Sequence, residues 1–281
     1  MTKLAVIGSP IEHSLSPALH KAAYIAQGLP WTYERYEVGE HNFNTFLEDL
    51  DHDFRGLSVT MPLKSGANNA AHTVDFHSKV TGSTNTLLFE YDNGSRQISG
   101  FNTDVFGIVH ALKDVGVQSV KHSVVIGSGA TAASAVVACA ELGAEHVTVF
   151  ARNVEKANFL SVVAQQSGLS LTVSNISELS RTDVCELAIS TLPGSVELSL
   201  EDLPRTSHAT LLDVAYNPWP SSKATLWSER GGEVVSGLRM LARQALIQVR
   251  IFVHGSPEAN LENEDHIYRK MCEAIALDPL I

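Results

Sequence analysis

The sequence predicts an α/β fold built on mostly parallel sheets, and three observations carry that prediction. Short apolar runs alternate with segments of helical period along the 281 residues, the pattern of strands joined by helical crossovers. One run feeds directly into a glycine-rich turn that opens a helix, Gly127 to Ala132. The composition, 44% hydrophobic and 18% charged, fills a core and speaks against a disordered chain. The length suits two domains or one large one.

Leu4–Ile7 is an apolar strand, followed by a turn and a helix from about Pro17 to Ala26. Trp31–Val38 alternates as a strand does, Phe43–Leu50 reads as a helix, and Gly56–Thr60 is a strand ending in Met61-Pro62. Thr86–Tyr91 and Gln97–Gly100 flank the turn Asp92-Asn93-Gly94 and predict a hairpin. A second unit begins near Asp104, with a helix to about Val115. Ser123–Gly127 then enters the glycine-rich turn, with helical spacing from Thr131 to Leu142 and a strand at Val147–Phe150. Leu187–Ser190 and Leu211–Val214 read as further strands, and Pro218–Ser222 as loop. Two helices close the chain, from about Gly237 to Phe252 and from about Asn263 to Ala276.

Charge and cysteine usage narrow the function classes. A formal net charge of -11 repels phosphate backbones, so nucleic acid is not the expected partner. Cys139, Cys185 and Cys272 form no CxxC pair, which predicts a reducing compartment and no structural zinc. The twelve histidines are scattered, and no metal is expected. Met1-Thr2-Lys3 runs straight into a strand, without the features of a signal peptide. No segment has 18 uninterrupted apolar residues. The expectation is a soluble, cytoplasmic protein with a small-molecule substrate.

Gly127-Ser128-Gly129-Ala130-Thr131-Ala132 fits G-x-G-x-x-A between a strand and a helix. The first glycine makes the tight turn, the second lets backbone approach a pyrophosphate, and Ala132 allows close helix–strand packing. The helix N-terminus offers free N–H groups to phosphate. The next strand ends Val149-Phe150-Ala151-Arg152-Asn153, with Lys156 following. A site for the unphosphorylated dinucleotide wants Asp or Glu at this strand end. Here Arg152 and Lys156 match a 2′-phosphate instead, which points to NADP; the plainer alternative is a solvated basic pair.

The segment Gly8 to Pro17 holds Ser14 and Ser16 just before a helix. Two hydroxyls at a helix N-terminus can hold a carboxylate, although on spacing alone Ser16 reads as a simple helix cap. Taken singly, Lys64 reads as a surface lysine and Asp104 as a cap.

Placed together, these segments resemble the shikimate dehydrogenase family over essentially the full length. Ser9-Pro10-Ile11-Glu12-His13-Ser14-Leu15-Ser16-Pro17 matches the family's opening motif, and Gly56 to Lys64 its second. Gly82-Ser83-Thr84-Asn85-Thr86, Gly100-Phe101-Asn102-Thr103-Asp104 and Gly237 to Gln244 resemble the next three. The resemblance implies a substrate-binding and catalytic domain over 1–104 and a Rossmann-type NADP-binding domain over 105–236. Helices over 237–281 would pack back on the first domain. It implies reversible NADPH-dependent reduction of 3-dehydroshikimate to shikimate, by a monomer or homodimer. Lys64 and Asp104 would be the catalytic pair. Ser14, Ser16, Ser58, Thr60, Asn85, Tyr216 and Gln244 would bind substrate. Gly127, Ser128, Gly129, Ala130, Thr131, Ala132, Ala151, Arg152, Asn153, Lys156, Thr191, Val214 and Gly237 would bind NADP. One departure concerns the substrate site: Ser58 stands where the family usually has Asn, losing an amide. Ser221-Ser222 replaces a common Thr-Pro, and Arg152-Asn153 a commoner Arg-Thr. Two rivals stand beside this reading: a sister enzyme oxidising quinate, or both quinate and shikimate, with NAD, and a non-enzymatic nucleotide-sensing or regulatory module of the same fold.

Overall fold

The computed structural model describes residues 1–92, 94–184, 186–206 and 209–280. Asn93, at the tip of the expected hairpin turn, and Cys185 lie outside the described residues. The chain divides into two compact units, one of Met1–Gly107 with Leu241–Ile281, the other of Ile108–Met240.

The first unit carries strands β1 (Lys3–Gly8), β2 (Thr32–Glu37), β3 (Phe54–Val59), β4 (Thr73–Val74), β5 (Thr86–Asp92) and β6 (Ser95–Phe101). They form one sheet in the order β2-β1-β3-β5-β6-β4. β2, β1 and β3 run parallel, while β5 pairs antiparallel with both β3 and β6. Both faces of β1 are covered, which is why it reads as a continuous apolar run. Leu4 and Val6 face the core formed with helices α1 (Ser16–Ala26), α10 (Gly237–His254) and α11 (Glu264–Glu273). Ala5 and Ile7 face the core formed with α2 (Phe43–Asp49) and α3 (Lys64–Ala70). The C-terminal helices thus return to the N-terminal sheet. A short α4 (Phe76–Thr81) precedes β5, capped by the Asp75 carboxylate on the Ser78 amide at 2.7 Å.

The second unit starts within α5 (Asp104–Asp114) and carries β7 (His122–Ile126), β8 (His146–Ala151), β9 (Ser170–Asn175), β11 (Leu187–Ser190), β13 (Thr210–Asp213) and β14 (Glu233–Ser236). Their order is β14-β13-β11-β7-β8-β9, every pair parallel. This is the doubly wound Rossmann arrangement, with strand order reversing between β7 and β11. Helix α6 (Ala130–Glu141) buries every residue from Ala132 to Cys139. α7 (Val154–Ala157), α8 (Phe159–Gln166) and α9 (Ser222–Glu229) complete the helices, and two-residue β10 (Asp183–Val184) pairs with β12 (Arg205–Thr206).

Several elements depart from the sequence expectation. The sequence pattern places no helix directly after Met61-Pro62, yet Lys64 opens α3. Four of its seven residues, Ser, Gly and two Asn, are weak helix formers, and only Ala67 of it is buried. β9 and β14 lie at the two sheet edges and lack the apolar density of central strands. Pro218–Ser221 is loop as expected, but Ser222, expected in that loop, already opens α9, capped by Ser221 Oγ on the Ala224 amide at 3.1 Å.

Candidate active site

In the first unit, β1 and β3 are adjacent and parallel, yet α1 leads the chain from β1 outward to β2. Strand order therefore reverses between β1 and β3, and the segments after both strands lie at their carboxyl ends, where open α/β sheets bind ligands. The two segments touch: the Ser9 amide donates to the Met61 carbonyl at 3.0 Å. Gly8 is required there, since a Cβ would strike the Thr60 methyl.

The pair at the centre is Lys64 and Asp104. Their Nζ and Oδ2 are 2.5 Å apart, with side chains only 14% and 9% exposed. Lys64 is no free surface lysine, and the Asp104 carboxylate is not spent on capping: its other oxygen accepts from Asn85 Nδ2 at 2.8 Å. The Asn85 amide is oriented by the Thr103 N–H and the Thr86 hydroxyl, both donating to its Oδ1 at 2.9 Å. Gln244 joins through its Oε1, which accepts from Thr103 Oγ1 at 3.1 Å and from Asn85 Nδ2 at 3.3 Å. Four segments far apart in sequence thus meet around one ion pair.

Ser16 is 6% exposed and is the first residue of α1. The cap position is Leu15, with no side-chain capping bond, so the simple cap reading of Ser16 fails. Ser14 Oγ accepts from the Ser16 amide at 3.4 Å. Ser58 is 3% exposed and its hydroxyl is taken up internally. It accepts from the Tyr33 phenol at 2.6 Å and donates to Gln248 Oε1 at 2.8 Å. Burial pushes the Tyr33 phenol up, opposed by hydrogen bonds with Ser58 and Ser16, so Tyr33 ties the two serines. Thr60 is half-buried directly after β3.

The second unit presents backbone rather than side chains. Gly127 has φ of 123°, and a Cβ there would collide with Thr191 Oγ1. Thr191 follows β11 and its hydroxyl donates to the Ile126 carbonyl at 3.1 Å, so both lie at the switch point of this sheet. A Cβ on Gly129 would meet nothing within 4 Å, which leaves space before the α6 N-terminus, where no side chain caps the amides. Ser128, Ala130 and Thr131 are half-buried around that turn, and Ala132 is fully buried. At the end of β8, Ala151 is buried while Arg152, Asn153 and Lys156 are exposed. Asn153 caps α7, its Oδ1 accepting from the Lys156 amide at 2.9 Å. Gly237 is packed on the Val214 carbonyl so closely that a Cβ would not fit. Tyr216 is half-buried, with its phenol pushed up by burial. A phosphate-bearing dinucleotide fits this set: an uncapped helix N-terminus, glycines allowing close approach, and two cations beyond the second strand.

Residues outside the family motifs also shape these sites. Tyr33, His20 and Gln248 lie beneath the first; only Gln248 left a trace, one helical turn after Gln244. In the second unit, Lys223 is 1% exposed and donates to the carbonyls of Pro193 and Val196, both at 3.3 Å, while lying 3.7 Å from buried Asp213. It ties the segment after Thr191 to the strand that leads to Val214. Among the described residues, no cluster of three or more His, Cys, Asp or Glu could hold a metal, and no helix is long and apolar enough to cross a membrane.

The family model for the shikimate dehydrogenase substrate binding domain matches residues 6–87. The shikimate dehydrogenase (NADP(+)) of Microcystis aeruginosa is 33% identical over 268 residues, covering 90% of this chain and 92% of that one. The crystal structure of Mycobacterium tuberculosis shikimate dehydrogenase superposes with a TM-score of 0.82 at 35% identity, covering 98% and 99% of the two chains. That of Thermus thermophilus shikimate 5-dehydrogenase in complex with NADP(H) and shikimate gives 0.79 at 27% identity, covering 98% and 100%. Against the pentafunctional AROM polypeptide of Schizosaccharomyces japonicus the match, at 28% identity, spans 17% of that longer polypeptide. On these similarities, the chain belongs to the shikimate dehydrogenase family.

Proposed function

We propose that the chain catalyses the reversible NADPH-dependent reduction of 3-dehydroshikimate to shikimate, a step of chorismate and aromatic amino acid biosynthesis. The observation that carries this reading is the Lys64–Asp104 pair, largely withdrawn from water and anchored through Asn85. The bound nicotinamide supplies or removes the hydride. As negative charge develops on the substrate oxygen, the Lys64 ammonium stabilises it and gives up a proton to it; in the oxidative direction the Lys64 amine takes that proton back. Asp104 holds Lys64 in place and accepts from a neighbouring substrate hydroxyl. No Lewis acid is required where an ammonium sits at the developing alkoxide.

Ser14 and Ser16 hold the substrate carboxylate beside the N-terminus of α1, and Thr60, Asn85 and Gln244 contact the ring hydroxyls. Ser58, with its hydroxyl committed to Tyr33 and Gln248, supports the site from beneath instead of touching the ring. The 1–104 region with the C-terminal helices serves substrate, and the central region serves NADP. There the α6 N-terminus takes the pyrophosphate, Arg152 and Lys156 the 2′-phosphate, and Val214 and Gly237 line the nicotinamide. The enzyme works in the cytoplasm as a monomer or homodimer.

The test is an absorbance assay of nicotinamide reduction with shikimate and with quinate, each with NADP and with NAD. Turnover with shikimate and NADP well above the other three combinations is expected. Preference for quinate with NAD would transfer the chain to the sister activity, and no turnover with any pair would leave a nucleotide-binding module.

A further inference from the structure

Beneath the Lys64–Asp104 pair lies a line of buried polar groups whose donors and acceptors can be assigned throughout. Gln248 is its hub, 2% exposed, on α10. Its Nε2 faces the Asn85 carbonyl at 3.2 Å and the Thr86 hydroxyl at 2.9 Å. A carbonyl can only accept, so this end of the carboxamide is the NH2 end and the orientation is settled chemically. Gln248 Oε1 must then accept from both its other neighbours. Ser58 donates one bond at 2.8 Å, and His20 Nε2 lies at 3.1 Å. His20 is therefore the Nε2–H tautomer, with Nδ1 accepting from the Tyr24 phenol at 3.1 Å.

The line runs onward in one sense. With the Gln248 amide donating to it, Thr86 Oγ1 sends its own proton to Asn85 Oδ1 at 2.9 Å. Asn85 is thereby held with Nδ2 toward Asp104, and Asp104 holds Lys64. Rotating the Gln248 amide would break four bonds at once, two of them by donor meeting donor. The imidazole is itself held, stacked on Tyr33 with ring centroids 4.1 Å apart at 10°. Burial lowers its pKa to about 3, so it stays neutral and keeps a ring nitrogen free to accept from Tyr24.

We propose that Gln248, locked in one orientation by the Nε2–H of His20, is a positioning residue for the Lys64–Asp104 pair, acting through Thr86 and Asn85. Where Ser58 lacks the amide that its family usually carries, α10 brings the Gln248 amide to 2.8 Å from its hydroxyl. The proposal rests on Lys64 and Asp104 being the catalytic pair.

The test compares His20→Gln with His20→Leu. A glutamine amide nitrogen can occupy the position of the imidazole Nε2 and donate to Gln248; leucine cannot, and both variants lose the ring stack on Tyr33. Steady-state rates with shikimate and NADP are expected to fall about ten- to a hundred-fold in kcat for His20→Leu, because small misplacement of a reacting group is that costly. The KM for shikimate moves less, and His20→Gln recovers most of the loss. Gln248→Met, similar in volume but without the amide, should match the leucine variant and carries the test alone if the latter does not fold. Equal rates for His20→Gln and His20→Leu, or wild-type kcat in Gln248→Met, would overturn the proposal. Lys64→Ala is assayed alongside: normal turnover in that variant removes the catalytic reading itself, whereas slow Lys64→Ala with wild-type Gln248→Met removes only the positioning role.

Discussion

Each unit brings its candidate site to a point where strand order reverses, and the two sites are made of different material. The first is a web of side chains, Lys64, Asp104, Asn85, Thr103 and Gln244, drawn from four segments and tied by directed hydrogen bonds. The second is largely backbone and vacancy: Gly127 against Thr191, Gly129 before open space, Gly237 against the Val214 carbonyl. The contrast follows from the ligands each is proposed to take. A pyrophosphate is bound by N–H groups common to every residue, so the requirement is absence of side chains. A small ring that must be distinguished and protonated needs specific groups at specific atoms. Deleting side chains should thus cripple the first site, and adding a single carbon should cripple the second.

The largest expected effect belongs to Lys64. Positioned acid–base catalysis is worth about 10²–10⁴-fold, and Lys64→Ala should lower kcat by that factor, with the KM for NADP unchanged. Lys64→Arg should rescue poorly, since guanidinium holds its proton too tightly. Steady-state kinetics below the variant's melting range check this, because an unpaired buried Asp104 also costs stability. A Lys64→Ala enzyme with normal kcat and a raised KM would make Lys64 a binding group and dissolve the contrast.

Gly127→Ala tests the other half. The methyl would meet Thr191 Oγ1 on a backbone already at φ 123°, a strain on the order of 1–3 kcal/mol. The KM for NADP should rise about ten- to a hundred-fold while the dissociation constant for shikimate, read by calorimetry, stays put. Gly127→Ala combined with Thr191→Ser keeps the oxygen and should not recover. An unchanged KM for NADP in Gly127→Ala would show that the turn is not the cofactor cradle.

Arg152→Ala should have a smaller effect. Arg152 is exposed, so solvent screening trims its contribution, and a loss of about ten-fold in kcat/KM for NADP is expected. NAD lacks the 2′-phosphate, so its kcat/KM should hardly change. Equal loss with both cofactors would mean that Arg152 serves the adenine or the fold.

The two sites also differ in how far they could be read from sequence. Gly127 to Ala132 is a local pattern whose physical meaning survives without any relative, because the turn, the strand before it and the helix after it are contiguous. The fold of that unit followed from its central strands, and two of the elements missed, β9 and β14, are edge strands in which only Val235 is buried. Lys64 and Asp104 are forty residues apart and individually unremarkable; only resemblance to a family joined them. Local spacing misled at Ser16, where capping was the simplest reading, because the cap position falls on Leu15. Tyr33 and His20 were invisible, since a buried polar residue is recognised by what surrounds it. Ser58 was legible as a departure from its family, but its partner Gln248 is 190 residues away.

The last effect is read as stability rather than as rate, and it would sharpen the comparison by showing that the first site rests on a neutral histidine. His20 is fully buried and burial lowers its pKa from 6.5 to about 3. Of the groups around it, Tyr24 and Tyr33 are themselves pushed up by burial and stay uncharged, Gln248 does not titrate, and Phe252 supplies an apolar ring. Above pH 6.5 the imidazole is neutral in both folded and unfolded chains and contributes no pH dependence. As pH falls below 6.5 the unfolded chain binds a proton that the folded one refuses, so stability is lost at up to about 1.4 kcal/mol per pH unit until the folded pKa is reached. Between pH 6.5 and 5, before most carboxylates titrate, His20 alone should cost about 1.5–2 kcal/mol. Thermal melts of wild type and His20→Gln across that range separate it from the other histidines. The wild-type melting temperature should fall with acidification more steeply than that of His20→Gln, which has no proton to gain at that position. Parallel curves would mean that the folded protein protonates His20 after all, and Gln248 would then face a cation rather than the single N–H that fixes its amide.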